Sequence, residues 1–196
     1  TAETLDPLRA SIATEEDLTL KAQKERLERF LTLRFDPDPA ARVKAIESLG
    51  SDTSLDTRAA LNPLVAITRI AVAGGPTGNI ARPLTLGRDL TETEAYDLLV
   101  AANLAPARLT PEEQRAALVA NIVDGKVGGI PVAELDDQTA RDRAYTALEL
   151  AGTVPTAATN DEATAALAAH KFYEVYAEPN PEVTLAAAAA LKGIDQ

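Results

Sequence analysis

Two stretches of this sequence, AYDLLVAANLAPARLTPEEQRAALVA (residues 95–120) and AYTALELAGTVPTAATNDEATAALAA (residues 144–169), align without a gap at an offset of 49 residues. They share eleven identities over twenty-six positions, including the tyrosine, proline, threonine and glutamate pairs Tyr96/Tyr145, Pro106/Pro155, Thr110/Thr159 and Glu113/Glu162. Each copy reads as a helix, a proline loop, a capping residue and a second helix. The alignment therefore predicts a duplicated helical hairpin.

The N-terminal part predicts further helices. Residues 15–34 have an amphipathic pattern, with Leu20, Leu27, Leu31 and Arg34 at near-helical spacing. Asp38 followed by Pro39 is a typical helix start, and the pattern DPxxR…A…LG over residues 38–50 resembles one HEAT-type unit. A second helix follows that unit, whereas residues 67–73 are compatible with either a helix or a strand.

These patterns predict an all-α protein of short helical hairpins. Only 4% of the residues are aromatic and none is Trp, so alanine must supply much of the core, which suits closely packed helices. The glycine-rich segment 74–79 predicts a boundary. We expect a HEAT-like part over residues 1–73, an irregular linker over 74–90 and the duplicated hairpins over 91–196, with one continuous domain as the alternative.

The charge and composition of the chain argue against two kinds of interaction, with nucleic acid and with the membrane interior. The net charge is −11, and the chain has no run of basic residues to displace counterions from nucleic acid. It has no cysteine, and its longest strongly apolar run, residues 185–191, is far shorter than a membrane span. We therefore predict no nucleic-acid partner and no direct membrane insertion of this fragment. The start at Thr1 suggests ends set by processing or by expression of a fragment.

The sequence contains no pattern that indicates catalysis. His170 is the only histidine and no cysteine accompanies it, so the usual zinc ligand sets are missing. The acid pairs Glu15/Glu16, Asp136/Asp137 and Asp161/Glu162 fall at helix starts, where they complement the helix dipole. We predict no catalytic, metal-binding or cofactor-binding residue and no enzymatic activity.

Two places are candidates for contact with a partner. The glycine-dense segment 125–131 contains Lys126, Gly128 and Gly129. It suits a structural turn better than an anion cradle, and an exposed loop can carry recognition. Further along, helical spacing would place Phe172, Val175 and Tyr176 on one buried face. Tyr173 would then point elsewhere, as an interface residue does.

Four phrases together resemble one protein family; they are LKAQKERLER (residues 20–29), RAALNPL (58–64), VGGIPV (127–132) and AHKFYEVY (169–176). They look like the extracytoplasmic N-terminal region of the urea-type ABC transporter permease subunit, within the branched-chain amino acid permease family. The resemblance implies a domain on the periplasmic side of the bacterial inner membrane, in an importer for urea or a related small amide. It transfers no functional residue to this chain.

Three hypotheses follow. The first is a non-enzymatic accessory domain that docks a protein partner, either the substrate-binding protein or the rest of the permease. The second is a sensor with a small-ligand pocket between the two hairpins or at the 125–131 loop. The third is a general helical-repeat module for protein interaction. The alternative to all three is an enzyme that uses buried carboxylates, which requires a deep cleft with convergent acids.

Overall fold

The computed structural model describes residues 1–195. The protein is 56% helical and 12% strand, with two antiparallel sheets, so the predicted all-α class is wrong and the fold is mixed α and β. The helices are α1 (Leu5–Ala13), α2 (Leu18–Phe35), α3 (Pro39–Ser48), α4 (Leu55–Leu61), α5 (Glu92–Ala101), α6 (Pro111–Ala120), α7 (Gln138–Leu150), α8 (Asn160–Ala169) and α9 (Pro181–Ile194). The strands are β1 (Ile67–Val72), β2 (Ile80–Leu84), β3 (Lys126–Val127), β4 (Ile130–Pro131) and β5 (Lys171–Tyr176).

The chain forms two compact units. Unit 1 combines residues 1–89 with the described residues from 171 onward, and unit 2 is Leu90–His170. In chain order, unit 2 is inserted between β2 and β5, which are hydrogen-bonded neighbours in unit 1. This grouping differs from the predicted division, because the expected linker 74–90 contains β2 and the C-terminal segment belongs with the N-terminal half.

The helical layer of unit 1 is completed by the last helix of the chain. Both helices of the predicted HEAT-like unit are present, but α3 packs against α2 and α9 and not chiefly on α4. Asp38 caps α3 with Pro39 at its first turn, as predicted. The core of this layer consists of buried apolar side chains from both ends of the sequence: Leu33, Ala45, Ile46, Leu49, Leu61, Leu64, Val183, Ala187 and Ile194.

The sheet of unit 1 has the strand order β1-β5-β2, with both outer strands antiparallel to β5. Residues 67–73 are therefore mostly a strand, and the helical reading of residues 172–176 is wrong. The physical reason is composition. ITRIAV and KFYEVY are rich in β-branched and aromatic residues, which favour a pleated surface. On β5, Phe172 and Tyr176 share one face, while Tyr173 and Val175 share the other.

The glycine-rich segment 74–79 carries the chain from the end of β1 to the start of β2. It ends at Asn79, which is buried and whose side-chain NH₂ group and backbone carbonyl are hydrogen-bonded. The Asn79 amide donates to the Glu178 carbonyl and to Thr184 Oγ1, each at 2.9 Å, and its own carbonyl accepts the Tyr176 N–H at 2.8 Å. Thr184 in turn donates to the Leu64 carbonyl at 3.1 Å. These bonds join β2, β5, α9 and the turn before β1.

A buried ion pair also joins the two halves of unit 1. The Arg42 guanidinium on α3 donates twice to the Glu178 carboxylate, at 2.9 and 2.5 Å, and once to the Leu33 carbonyl at 2.8 Å. The exposed fractions of the two side chains are 12% for Arg42 and 6% for Glu178. Arg42, the arginine of the DPxxR pattern, thus fixes the position of the segment that precedes α9.

A second carboxylate is buried within the sheet. Glu174 on β5 lies directly opposite Arg69 on β1 and Arg82 on β2. Arg82 donates to the two Glu174 oxygens at 2.8 and 3.3 Å, and it also pairs with Asp89 at 3.0 Å. This central-strand acid therefore ties β5 to a neighbouring strand through side chains as well as backbone.

The 49-residue offset recurs in the helices of unit 2. Adding 49 to the bounds of α6 gives those of α8, and the same shift places α5 on the last ten residues of α7. Tyr96 donates to the Pro106 carbonyl at 2.6 Å, and Tyr145 donates to the Pro155 carbonyl at 2.9 Å. Both second helices begin with a reciprocal capping box, one at Thr110 and one at Thr159. Across the copies, α5 packs on α8 and α6 on α7.

Candidate functional site

Helix α2 leaves part of its leucine stripe in solvent. The helix begins after Asp17, whose carboxylate accepts the Leu20 N–H at 3.0 Å. The residues it buries are Thr32 and Leu33, whereas Leu20 is 43% exposed and Leu27 is 50% exposed. The predicted amphipathic helix is therefore present, but much of its apolar stripe does not enter the core of unit 1.

This stripe forms one wall of a cleft between α2 and α4, which we name the α2–α4 groove. Its volume is about 510 Å³, and it is lined by Gln23, Arg26, Leu27, Phe30, Arg34, Asp56, Ala59 and Ala60. The apolar part of its lining, which forms the floor, consists of Leu27 and Phe30 from α2 and the two alanines of α4. Alanine side chains allow the backbone of another helix to approach closely, so the shape of the groove suits a helical guest.

Arg26 is held in place at the rim of the groove. Its guanidinium donates to Asp52 Oδ2 at 3.0 Å and to Ser54 Oγ at 2.9 Å, and it lies 4.8 Å from the centre of the Phe30 ring. The hydrogen bond from Arg26 to Asp52 raises the pKa of the guanidinium. The pKa of the Asp52 carboxyl is held well below its usual range, first by the Ser54 N–H and then by the Ser54 hydroxyl and Arg26. The rim is therefore a fixed, charged wall beside an apolar floor.

Arg34 at the other end of the stripe is differently placed. It is exposed, and its guanidinium lies 5.3 Å from the centre of the Phe35 ring. Among residues 1–195 no carboxylate pairs with it. The groove therefore has one neutralised cation, Arg26, and one cation available to a partner.

The four predicted contact residues are divided between the two units. Lys126, Gly128 and Gly129 belong to the β3–β4 hairpin of unit 2, whereas Tyr173 is a partly buried residue of β5 in unit 1, opposite Ile70. The structure thus distributes the predicted contacts over both units, and the α2–α4 groove includes none of them.

The two glycines of the hairpin have different roles. Both have positive φ, +52° at Gly128 and +81° at Gly129, as a tight two-residue turn requires. A Cβ on Gly128 would lie 2.8 Å from the Ala144 carbonyl oxygen, whereas a Cβ on Gly129 would meet nothing within 4 Å. Gly128 therefore lets the hairpin pack against α7, and Gly129 together with the exposed Lys126 faces solvent.

Unit 2 contains two matched clefts between its repeat copies. One lies between α6 and α7 with a volume of about 230 Å³, and the other between α5 and α8 with about 330 Å³. Seven lining residues of the first correspond to lining residues of the second at the 49-residue offset: Pro111, Gln114, Arg115, Leu118, Arg141, Asp142 and Tyr145. Burial raises the pKa of the Tyr145 hydroxyl, because the anionic form is disfavoured away from water; this hydroxyl donates to the Pro155 carbonyl.

His170 has a structural contact. Its Nδ1 lies 2.6 Å from the Ala166 carbonyl at the end of α8. In the part of the chain that the structure describes, no group of three His, Cys, Asp or Glu side chains is arranged to hold a metal ion. Among the helices of residues 1–195, none combines the length and the apolar character needed to cross a bilayer.

The groove could be located only in part from the sequence. The leucine stripe of α2 was visible, but an amphipathic pattern does not distinguish a face that enters the core from one that stays exposed. The contribution of α4 depends on tertiary packing. In comparisons with known proteins, no family model, curated protein or solved structure matches the chain.

Proposed function

We propose that this chain is a non-enzymatic accessory domain that binds a helix of a protein partner in the α2–α4 groove. The observation that carries the proposal is the exposed stripe of α2 beside the alanines of α4, since an amphipathic helix commonly docks its apolar face into such a groove. An exposed apolar cleft with a charged rim is also typical of an interaction surface.

The resemblance supplies the biological setting of this proposal. It implies a domain on the periplasmic side of the bacterial inner membrane, as part of an ABC importer permease for urea or a related small amide. The partner would then be the substrate-binding protein or another part of the permease. A helix offered by the substrate-binding protein is the version that can be tested with two purified proteins.

The test is a calorimetric titration of the chain with the substrate-binding protein of the same importer, with and without urea. We expect saturable binding that the substitution Leu27→Asp abolishes, because a carboxylate would be buried against Phe30 and the α4 alanines. Leu150→Asp is the matched control, since Leu150 is 85% exposed on α7 in unit 2. Absence of binding at high micromolar concentration, or equal binding by both variants, would contradict the proposal.

A second candidate function is a small-ligand sensor in unit 2. It is favoured by the matched clefts between the repeat copies, which lie where the sequence places such a pocket. A thermal-shift titration with urea and short amides tests it, because a ligand that binds only the folded state raises the melting temperature. A rise that Arg141→Ala removes supports the sensor, whereas a flat response argues against it.

A further inference from the structure

The two matched clefts of unit 2 share a scaffold but differ in their charged side chains. A leucine and a tyrosine recur at equivalent positions of both clefts. Arg115 of the α6–α7 cleft, in contrast, corresponds to Thr164 of the α5–α8 cleft, and Arg141 corresponds to Glu92. Because the helix pairs pack in both places, the architecture of the repeat does not require the two arginines.

The two arginines line the α6–α7 cleft from different helices, Arg115 from α6 and Arg141 from α7. Arg141 donates to Gln138 Oε1 at 2.9 Å. In the part of the chain that the structure describes, neither guanidinium forms an ion pair with a carboxylate. A guanidinium binds a carboxylate through two parallel hydrogen bonds, so the cleft offers two such groups to a carboxylate ligand.

The same cleft contains two acids, Glu112 and Asp142. Asp142 Oδ1 accepts the Gln138 amide at 2.8 Å, and Glu112 is exposed. Two arginines and two acids leave the lining with no net charge. A simple anion would therefore meet the acids, and a simple cation would meet the arginines. A molecule with one carboxylate and one ammonium group complements both signs, and since it is neutral overall, the net charge of −11 does not repel it.

The size of the cleft limits the ligand to a small molecule. Its volume of about 230 Å³ is below the range of about 300–1,000 Å³ that is usual for pockets of drug-sized ligands. Pro111 and Leu118 supply the apolar part of the lining, which suits a short carbon chain between the two charged groups.

We propose that the α6–α7 cleft binds a small zwitterion, whose carboxylate pairs with Arg115 and Arg141 and whose ammonium group pairs with Glu112 and Asp142. The α5–α8 cleft, which lacks the two arginines, does not bind it. The proposal rests on the second candidate function given above and specifies the chemical class of the ligand.

The experiment is an NMR titration of the full ¹⁵N-labelled chain with two zwitterions, glycine and β-alanine, and with acetate and methylammonium, which each carry one of the two charged groups. We expect saturable shifts of backbone amides in the first turns of α6 and α7 with the zwitterions. Acetate and methylammonium should bind at least about tenfold more weakly, because each makes only half of the contacts.

Variants separate the two charged contacts. Arg115→Gln should weaken binding of both zwitterions at least about tenfold and should weaken acetate as well. Asp142→Asn keeps an acceptor for Gln138, and it should weaken the zwitterions without weakening acetate. The matched controls are Glu92→Gln and Thr164→Ala in the α5–α8 cleft, which should change neither.

Three results would overturn the inference. They are the absence of saturable shifts with both zwitterions at millimolar concentration, acetate binding as tight as that of glycine, and zwitterion binding that Arg115→Gln leaves intact. If urea raises the melting temperature and Arg141→Ala removes that rise while the zwitterions do not bind, the sensor function stands and the ligand class is wrong. If the zwitterions bind as expected while urea and short amides have no effect, the ligand class is right and the assigned amide is wrong.

Discussion

In unit 1 the ion pair between Arg42 and Glu178 joins residues that are 136 positions apart in the sequence. In unit 2 the tyrosine hydrogen bond of each copy joins residues only ten positions apart, Tyr96 to Pro106 and Tyr145 to Pro155. In unit 2 the defining contacts repeat at a fixed offset and arise from local sequence. In unit 1 both the sheet and the helical core include elements of the C-terminal segment, β5 and α9. The difference shows that local patterns can define one unit while the other depends on long-range pairing.

The largest expected effect comes from breaking the long-range pair of unit 1. In Glu178→Leu, Arg42 remains buried beside an apolar side chain, so we expect a loss of about 3–5 kcal/mol in the free energy of unfolding. Urea denaturation measures this loss. The double variant Arg42→Met/Glu178→Leu should recover much of it, since no buried charge is left unpaired. A loss below about 1 kcal/mol in the single variant would mean that the ion pair contributes little to the stability of unit 1.

The corresponding test in unit 2 is a substitution at the hairpin. Gly128→Ala adds a Cβ 2.8 Å from the Ala144 carbonyl oxygen at a positive φ, and we expect a loss of about 3 kcal/mol from strain and overpacking. Gly129→Ala is the control, because its Cβ meets no atom within 4 Å, and it should cost about 1 kcal/mol. Equal losses in thermal unfolding would show that the hairpin does not pack on α7 as described.

The equivalence of the two repeat copies can be tested by removing their capping threonines. Thr110→Ala and Thr159→Ala each remove one capping box and should each cost about 1 kcal/mol. Denaturant titration of the two single variants gives the comparison. Similar losses support a duplicated unit, whereas a negligible loss in one copy would mean that the second helix of that copy is ordered by other contacts.

The smallest expected effect comes from removing the ion pairs of Arg9, which attach α1 to the rest of unit 1. Arg9 donates to Asp36 at 2.8 Å and to Glu28 at 2.9 Å, and its hydrogen bond lowers the pKa of Asp36. A lowered folded-state pKa stabilises the protein above the usual pKa of aspartate, and this stabilisation is lost as the pH falls through the folded value. Because Arg9 is 40% exposed, solvent screening limits the effect to less than about 1 kcal/mol.

Arg9→Met measures that contribution. We expect it to be less stable than the native chain near neutral pH, and the difference in unfolding free energy to shrink on acidification below the usual aspartate range. A difference that is unchanged by acid would mean that Arg9 acts through packing of its aliphatic stem and not through the carboxylate.

The sequence predicted most of unit 2 and much of the helical part of unit 1. The repeats, the capping residues and the glycine turn are encoded within a few residues of one another, so pattern reading finds them. The α2 helix and the Asp38-Pro39 start of α3 were found for the same reason. Each of these features is a local preference that tertiary packing did not override.

The sheet was missed because its strands are short and its pairing is not local. Residues 67–73 fit two readings, and KFYEVY at 171–176 has aromatic residues at a spacing that also suits a helix. The signal was the β-branched and aromatic content of both segments. Glu174 on β5 lies opposite Arg69 on β1 and Arg82 on β2, and no local sequence pattern indicates this pairing. The α2–α4 groove was missed for a similar reason, since exposure of Leu27 depends on what packs elsewhere.

The return of the C-terminal segment to unit 1 can be tested with a disulfide, because the chain has no cysteine. Ile67 lies opposite Tyr176, and Tyr176 donates its N–H to Asn79 on the other side of β5. Ile67 and Tyr176 are therefore a pair without mutual hydrogen bonds, whose Cα atoms are about 4.5 Å apart, within disulfide range.

The measurement is the extent of cross-linking in Ile67→Cys/Tyr176→Cys after mild oxidation, compared with Ile67→Cys/Val175→Cys, in which the second cysteine points to the opposite face. The account predicts nearly complete disulfide formation in the first variant and little in the second. Little cross-linking in the first, or equal cross-linking in both, would contradict the β1–β5 pairing on which unit 1 depends.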